Sequence, residues 1–290
     1  MKQERVGILF AIGAYSMWGL FPIYWKLLQH VSADLILAHR ILWSLLFYFL
    51  IWFFFFRKPG ARRIEMNRKL GVQILLASAL ISVNWFVYIW GVNSGHVLET
   101  SIGYFINPLV NVLLGFIILK EKLSRNKWLA IGLATCGVLL VSYQVKEIWI
   151  ALVLAFSFAF YGLLRKIMKA QPIQTSFIET LVLSLPALFY VFYTSERIAN
   201  WELSTYLLLA AGGAVTGLPL WWFAEAASRT ALSTMGLFQF ISPTMQFLLA
   251  VLLYHEPFEP LHAWSFGLIW FGLGVFVWDL VKNRTVAKES

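Results

Sequence analysis

Apolar residues run along this chain in long unbroken stretches, separated by short clusters of charged and turn-forming residues. A helix crossing a hydrocarbon core needs about 20 predominantly apolar residues. The stretches predict ten such helices, near residues 6–29, 37–56, 72–93, 98–119, 127–145, 148–164, 177–194, 205–224, 234–254 and 261–281. A membrane β-barrel would instead alternate apolar and polar residues over about ten positions, which the run from Ile41 to Phe56 does not do. The first stretch is unusually long, carries Trp18, Trp25 and Lys26, and lacks a small-residue cleavage site, so it reads as a retained span. The expected fold class is an all-α integral membrane protein.

Composition points to the same solvent. Of 290 residues, 60% are apolar and 13% charged, against roughly 25% charged in soluble domains, and mean hydropathy is +0.74. A soluble fold would lack polar surface to cover that core. The net charge of +9 sits in short segments beside apolar runs, with no aromatic-interleaved basic groove. Anionic lipid headgroups, rather than nucleic acid, are the expected partners. With alternate faces assigned, 19 Lys and Arg fall on the side of the termini and 4 (Lys26, Arg40, Lys146 and Arg197) on the other. Short cytoplasmic loops carry the positive excess, so both termini are expected in the cytoplasm. The single cysteine, Cys136, permits neither a disulfide framework nor a thiolate metal site.

The chain also repeats itself. Residues 104–121, YFINPLVNVLLGFIILKE, align without gaps with 239–256, QFISPTMQFLLAVLLYHE, at an offset of 135. The register pairs Pro108 with Pro243 and Glu121 with Glu256, and it continues through Gly132 with Gly267 and Gly137 with Gly272. A fainter echo joins Tyr15–Gly19 to Phe158–Gly162. The expected organisation is two five-helix repeats, 1–145 and 146–290. Because five is odd, the second repeat enters the membrane from the opposite side. Inverted repeats of this kind form carriers with a solute site at the midplane.

Polar residues inside the spans are the candidate solute ligands. Asn107 and Asn111 share a helix face, as do Ser242 and Gln246, with Tyr104 and Gln239 nearby. Either they line a wet cavity or they hold helices together. Pro108 and Pro243 each remove a backbone donor and mark candidate gating kinks. Arg40 and Glu179 fall at roughly equivalent early positions of the second and seventh spans. Arg40 would bind a carboxylate, balance Glu179, or snorkel to headgroups. Glu99, at the start of the fourth span, reads either as a proton acceptor, a role shared with Glu179, or as a carboxylate at the positive end of a helix. Glu225 and Arg229 read as a local i,i+4 surface pair, and Lys26 and Asp279 as anchors at helix ends.

No soluble-type catalytic or nucleotide-binding motif is present, and the five His residues are dispersed. Neither a cofactor, a metal nor enzymatic activity is expected. Gly103–Asn111, GYFINPLVN, Ala38–Ser44, AHRILWS, Asn84–Asn93, NWFVYIWGVN, and Phe238–Thr244, FQFISPT, resemble the RarD proteins of the EamA drug/metabolite transporter group, and the likeness covers almost the whole chain. That resemblance implies a multi-pass carrier of the bacterial inner membrane moving small organic metabolites or drugs, with amphenicols as candidate substrates. The competing class is a receptor or scaffold without solute flux. Monomer and homodimer are both compatible with the sequence.

Overall fold

The computed structural model of the protein describes residues 2–56, 64–94, 96–142, 147–194, 201–253 and 260–289. It runs α1 (Lys2–Lys26), α2 (Ala33–Ile51), a π-helical turn (Trp52–Phe56), α3 (Arg68–Asn93), α4 (Val97–Ile117), α5 (Arg125–Ser142) and α6 (Ile148–Ile167). It continues with α7 (Pro172–Tyr193), α8 (Leu203–Arg229), α9 (Leu232–Gln239), α10 (Ile241–Leu252) and α11 (Pro260–Glu289). Among the described residues there is no strand. Glu256, the proposed counterpart of Glu121, lies outside the described residues, as do Lys146 and Arg197.

The stretch expected as one helix over 234–254 is divided, and Pro243 supplies the reason. Lacking an N–H, it cannot bond the carbonyl of Gln239, and its ring crowds that carbonyl. The chain turns at Phe240, whose N–H reaches only Leu237 O at 3.4 Å. A new helix then starts, with Thr244 N–H donating to Phe240 O at 3.1 Å. Pro108, by contrast, lies within an unbroken α4. The two prolines that the repeat pairs therefore have different local consequences.

Among the described residues, seven helices, α1 to α4 and α6 to α8, are long and apolar enough to cross a membrane, and α11 carries a shorter apolar stretch, Ala263–Asp279. The surface is apolar: Leu75, Phe86, Leu139, Leu185, Phe189, Trp264 and Phe271 are all exposed. The interior holds small and aromatic residues, among them Ala11, Ala14, Tyr15, Tyr161 and Phe223. This is the arrangement lipid favours, because helices without a hydrophobic drive to associate must pack closely or hydrogen-bond.

Glycines provide the closest approaches. On α8, Gly213 and Gly217 form a Gly-x-x-x-Gly step against α2. A Cβ at Gly213 would lie 2.3 Å from the backbone carbon of Trp43. Across the same seam Ser44 Oγ donates to Gly213 O at 3.0 Å and Tyr48 OH to Gly217 O at 2.7 Å. Helix α5 packs mainly on α11. There a Cβ on Gly137 would meet Ser265 O at 2.6 Å, and one on Gly272 would meet Ala130 O at 2.8 Å. The offset of 135 carries one contact into the other, Gly137 to Gly272 and Ala130 to Ser265. Helices from the two halves interleave, α1 and α2 against α8 and α4 against α6, so residues 1–145 and 146–290 share one core.

Candidate functional site

A small cavity lies where α2 and α3 meet α6, α7 and α8, lined among others by Ser44, Tyr48, Trp85, Tyr161, Arg165 and Glu179. Only four residues separate α6 from α7, and long side chains bridge the two helices. Tyr161 and Arg165 share a face on α6, and Thr175 and Glu179 share one on α7. Arg165 Nη2 lies 3.3 Å from Glu179 Oε2, with both side chains buried. Arg165 Nε donates to Tyr161 OH at 3.0 Å, and that hydroxyl donates to Glu179 Oε2 at 3.3 Å. The guanidinium also donates to Thr175 Oγ1 at 2.5 Å and to Ser176 Oγ. Glu179 Oε1 is buried without a hydrogen-bond partner among the described residues. The free volume is about 20 Å³, room for about one water molecule.

Arg165 is the principal residue that sequence reasoning missed. Placed beside Lys166 just past the expected end of the sixth span, it counted as a loop charge, whereas α6 continues to Ile167 and buries it. Its i,i+4 relation to Tyr161 was the available signal. Glu179 is thus balanced by Arg165 and not by Arg40.

Arg40 sits on the same face of α2 as Ser44 and Tyr48, one and two turns away. Its Nε donates to Thr216 Oγ1 of α8 at 3.0 Å. The guanidinium carbon lies over the rings of Trp25 at 4.9 Å and Trp85 at 5.2 Å. Tyr88 and Tyr104, packed edge to face at 5.6 Å, lie close by. Trp85 belongs both to this group and to the cavity wall.

The neutral candidates form two separate groups. Asn107 and Asn111 are fully buried, and Asn107 Nδ2 donates to Ala155 O at 2.5 Å. Asn111 Nδ2 bridges Asn107 Oδ1 at 3.1 Å and Gln239 Oε1 at 2.8 Å. These amides clasp α4 to α6 and α9, with Gly236 of α9 packed against the carbonyl of Pro108. Ser242 and Gln246 instead face α1, where Gln246 Nε2 donates to Trp18 O at 3.0 Å and Ser242 Oγ at 3.4 Å. Neither group contributes a named wall residue to the small cavity.

Glu99 is buried in the first turn of α4, 3.8 Å from His96 Nδ1. Glu225 and Arg229 do pair, at 2.5 Å, but within α8 and with Glu225 buried and bonded by Trp221 Nε1 at 3.2 Å. Asp279 is buried and accepts from Ser124 at 2.7 Å and Asn126 at 2.9 Å, tying α11 to the start of α5. Glu121 accepts the N–H groups of Leu232 at 2.7 Å and Ser233 at 3.0 Å, capping α9 from a distant loop. That cap had no local sequence signature, since its partners are over 100 residues away.

Long apolar helices with an apolar exposed surface, around a small cavity that holds a buried ion pair, are the build of a multi-pass membrane protein. The family follows from comparison with known proteins: the EamA-like transporter family matches residues 5–143 and again 145–278. The chain belongs to that family, and within it to the RarD-like group of multi-pass bacterial membrane proteins. It is 44% identical over 288 residues to protein RarD of Streptomyces exfoliatus, covering 97% of this chain and 91% of that one. It is 42% identical to the uncharacterized transporter YojE of Bacillus subtilis (strain 168), covering 99% and 98%. A solved crystal structure 16% identical to the chain superposes with a TM-score of 0.72 over 93% of this chain and 96% of that one, which shows a shared fold.

Proposed function

We propose that the protein is a secondary carrier of small organic solutes in the bacterial inner membrane, working by alternating access between two inverted five-helix repeats, 1–145 and 146–290. The observation that carries this reading is the small cavity, holding the buried Arg165–Glu179 pair, where helices of both halves meet. About 20 Å³ is too small for any organic solute, so binding requires the helices to part. Buried polar networks inside membrane bundles mark solute and ion pathways. The twofold family match and the reciprocal Gly137 and Gly272 contacts support the repeat organisation.

In this reading solute occupies the space between Arg40 and Glu179, whose charges select it, with Tyr104 at its edge. Glu179 takes up the coupling proton, while Glu99, held beside His96, is a second and weaker candidate for that role. Asn107, Asn111 and Gln239 form a clasp that releases as the cavity opens, and Ser242 and Gln246 form its counterpart against α1. The chain turns at Phe240, just before Pro243, while α4 runs unbroken through Pro108, and in this reading the two prolines mark the gates. Ten crossings, cytoplasmic termini and anionic lipid at the basic loops complete the picture. Amphenicols and aromatic metabolites are the solutes to try first.

The test is flux in proteoliposomes, using labelled chloramphenicol and a panel of aromatic metabolites with and without a pH gradient. Saturable flux driven by the gradient is expected, and Glu179→Gln should lose the gradient dependence while keeping solute exchange. Flux no greater than in protein-free liposomes for the whole panel overturns the carrier reading.

A further inference from the structure

We infer that Arg40 is the docking point for the anionic group of the solute, so that the carrier prefers an organic carboxylate with a flat apolar body. The inference deepens, and rests on, the carrier reading above.

Arg40 differs from the other well-held arginines of the bundle. Arg165 faces Glu179 and Arg229 faces Glu225. Among the described residues no carboxylate lies within ion-pair reach of Arg40. Its position is nonetheless fixed. Nε is tethered to Thr216, and the plane is covered by Trp25 and Trp85. A guanidinium held by Nε and by its face still has N–H groups to offer, in a planar fork that matches a carboxylate with two parallel hydrogen bonds. Residues from α1, α3 and α8 converge to hold it. Arg40 itself is only half-buried, as is Tyr104.

The body of such a solute has a route. Trp85, which covers Arg40, also walls the cavity, and Ser44 lies one turn along α2, about 6 Å from Arg40 by helical rise. A carboxylate seated on Arg40 therefore directs an attached ring along Trp85 toward Tyr48 and Tyr161. A flat ring stacks on such walls, whereas a branched or strongly hydrated body would not. A neutral amphenicol uses the walls and leaves the guanidinium without its counter-charge.

The test uses purified full-length protein in lipid nanodiscs, with labelled benzoate as the probe in equilibrium dialysis and unlabelled benzoate or benzamide as competitor. Saturable benzoate binding is expected, displaced by benzoate and not by its neutral isostere. Arg40→Gln should weaken binding at least tenfold, and Arg40→Lys, which keeps the charge and loses the fork, should weaken it less. Helical content by circular dichroism and a single size-exclusion peak certify each variant. Should Arg40→Gln fail to fold, Thr216→Val removes only the tether and should weaken binding several-fold. Absence of saturable benzoate binding by the folded protein, equal competition by benzamide, or unchanged affinity in whichever of these variants folds overturns the inference. Saturable chloramphenicol flux alongside such a failure leaves the carrier standing and removes only the role of Arg40. Absence of flux for every solute removes the carrier itself.

Discussion

Arg165 and Glu179 show how strongly one residue depends on another in hydrocarbon. Removing one member of a buried ion pair leaves an uncompensated charge, at a cost of about 3–5 kcal/mol, whereas replacing both by apolar groups is close to neutral. Arg165→Met and Glu179→Leu are each expected to lower the unfolding temperature in detergent. The double variant should lose markedly less than the two single losses combined, because each deletion relieves the other. Additive losses would show that the 3.3 Å contact contributes no coupling. Half of this pair was legible in the sequence. Glu179 stands out as a carboxylate within an apolar run, whereas Arg165 abuts Lys166 and reads as a loop. Hydropathy could not tell them apart, since burial of Arg165 depends on α7 folding back to supply Thr175, Ser176 and Glu179. The polar character of Asn107 and Asn111 was equally plain, but their role as a clasp depends on Ala155 and Gln239, which only packing brings near.

At the scale of elements, glycines divide into those that permit a crossing and those that merely occupy a helix. Gly213 meets the backbone of Trp43, which cannot move aside without shifting α2, while nothing lies within 4 Å of a Cβ placed at Gly132. Gly213→Ala should therefore separate α8 from α2 and break the Ser44 and Tyr48 hydrogen bonds to α8. Gly132→Ala should be neutral or stabilise by up to about 1 kcal/mol through helix propensity. Thermal unfolding of the two variants in the same detergent checks this, and comparable losses would contradict the crossing geometry. The lengths of most helices followed from apolar runs, because a span must cover its backbone in lipid. The break between α9 and α10 did not follow, although Pro243 was in view. Whether a proline bends a helix or ends it is decided by what neighbouring helices offer the freed carbonyls.

At the scale of the molecule the issue is orientation. With both termini cytoplasmic, the α1–α2 connection lies outside and the α4–α5 connection inside. Cys136 provides a clean background once replaced by Ala. Ser32→Cys, on the exposed residue that precedes α2, should react with a membrane-impermeant maleimide in intact cells. Lys122→Cys, exposed between α4 and α5, should react only after lysis. The opposite labelling pattern would invert the topology, placing Arg40 in the inner half and Glu179 in the outer.

The sequence by itself determined the solvent, the helical class and the internal repeat. These are carried by composition and by spacing along the chain, which lipid and backbone hydrogen bonding constrain directly. Tertiary structure decided which charges meet, that the two halves share one core, and that Trp85 serves both Arg40 and the cavity. Those outcomes rest on contacts between residues far apart in the chain, where a three-residue extension of a helix end, from Leu164 to Ile167, takes a charge from an expected loop into the bundle.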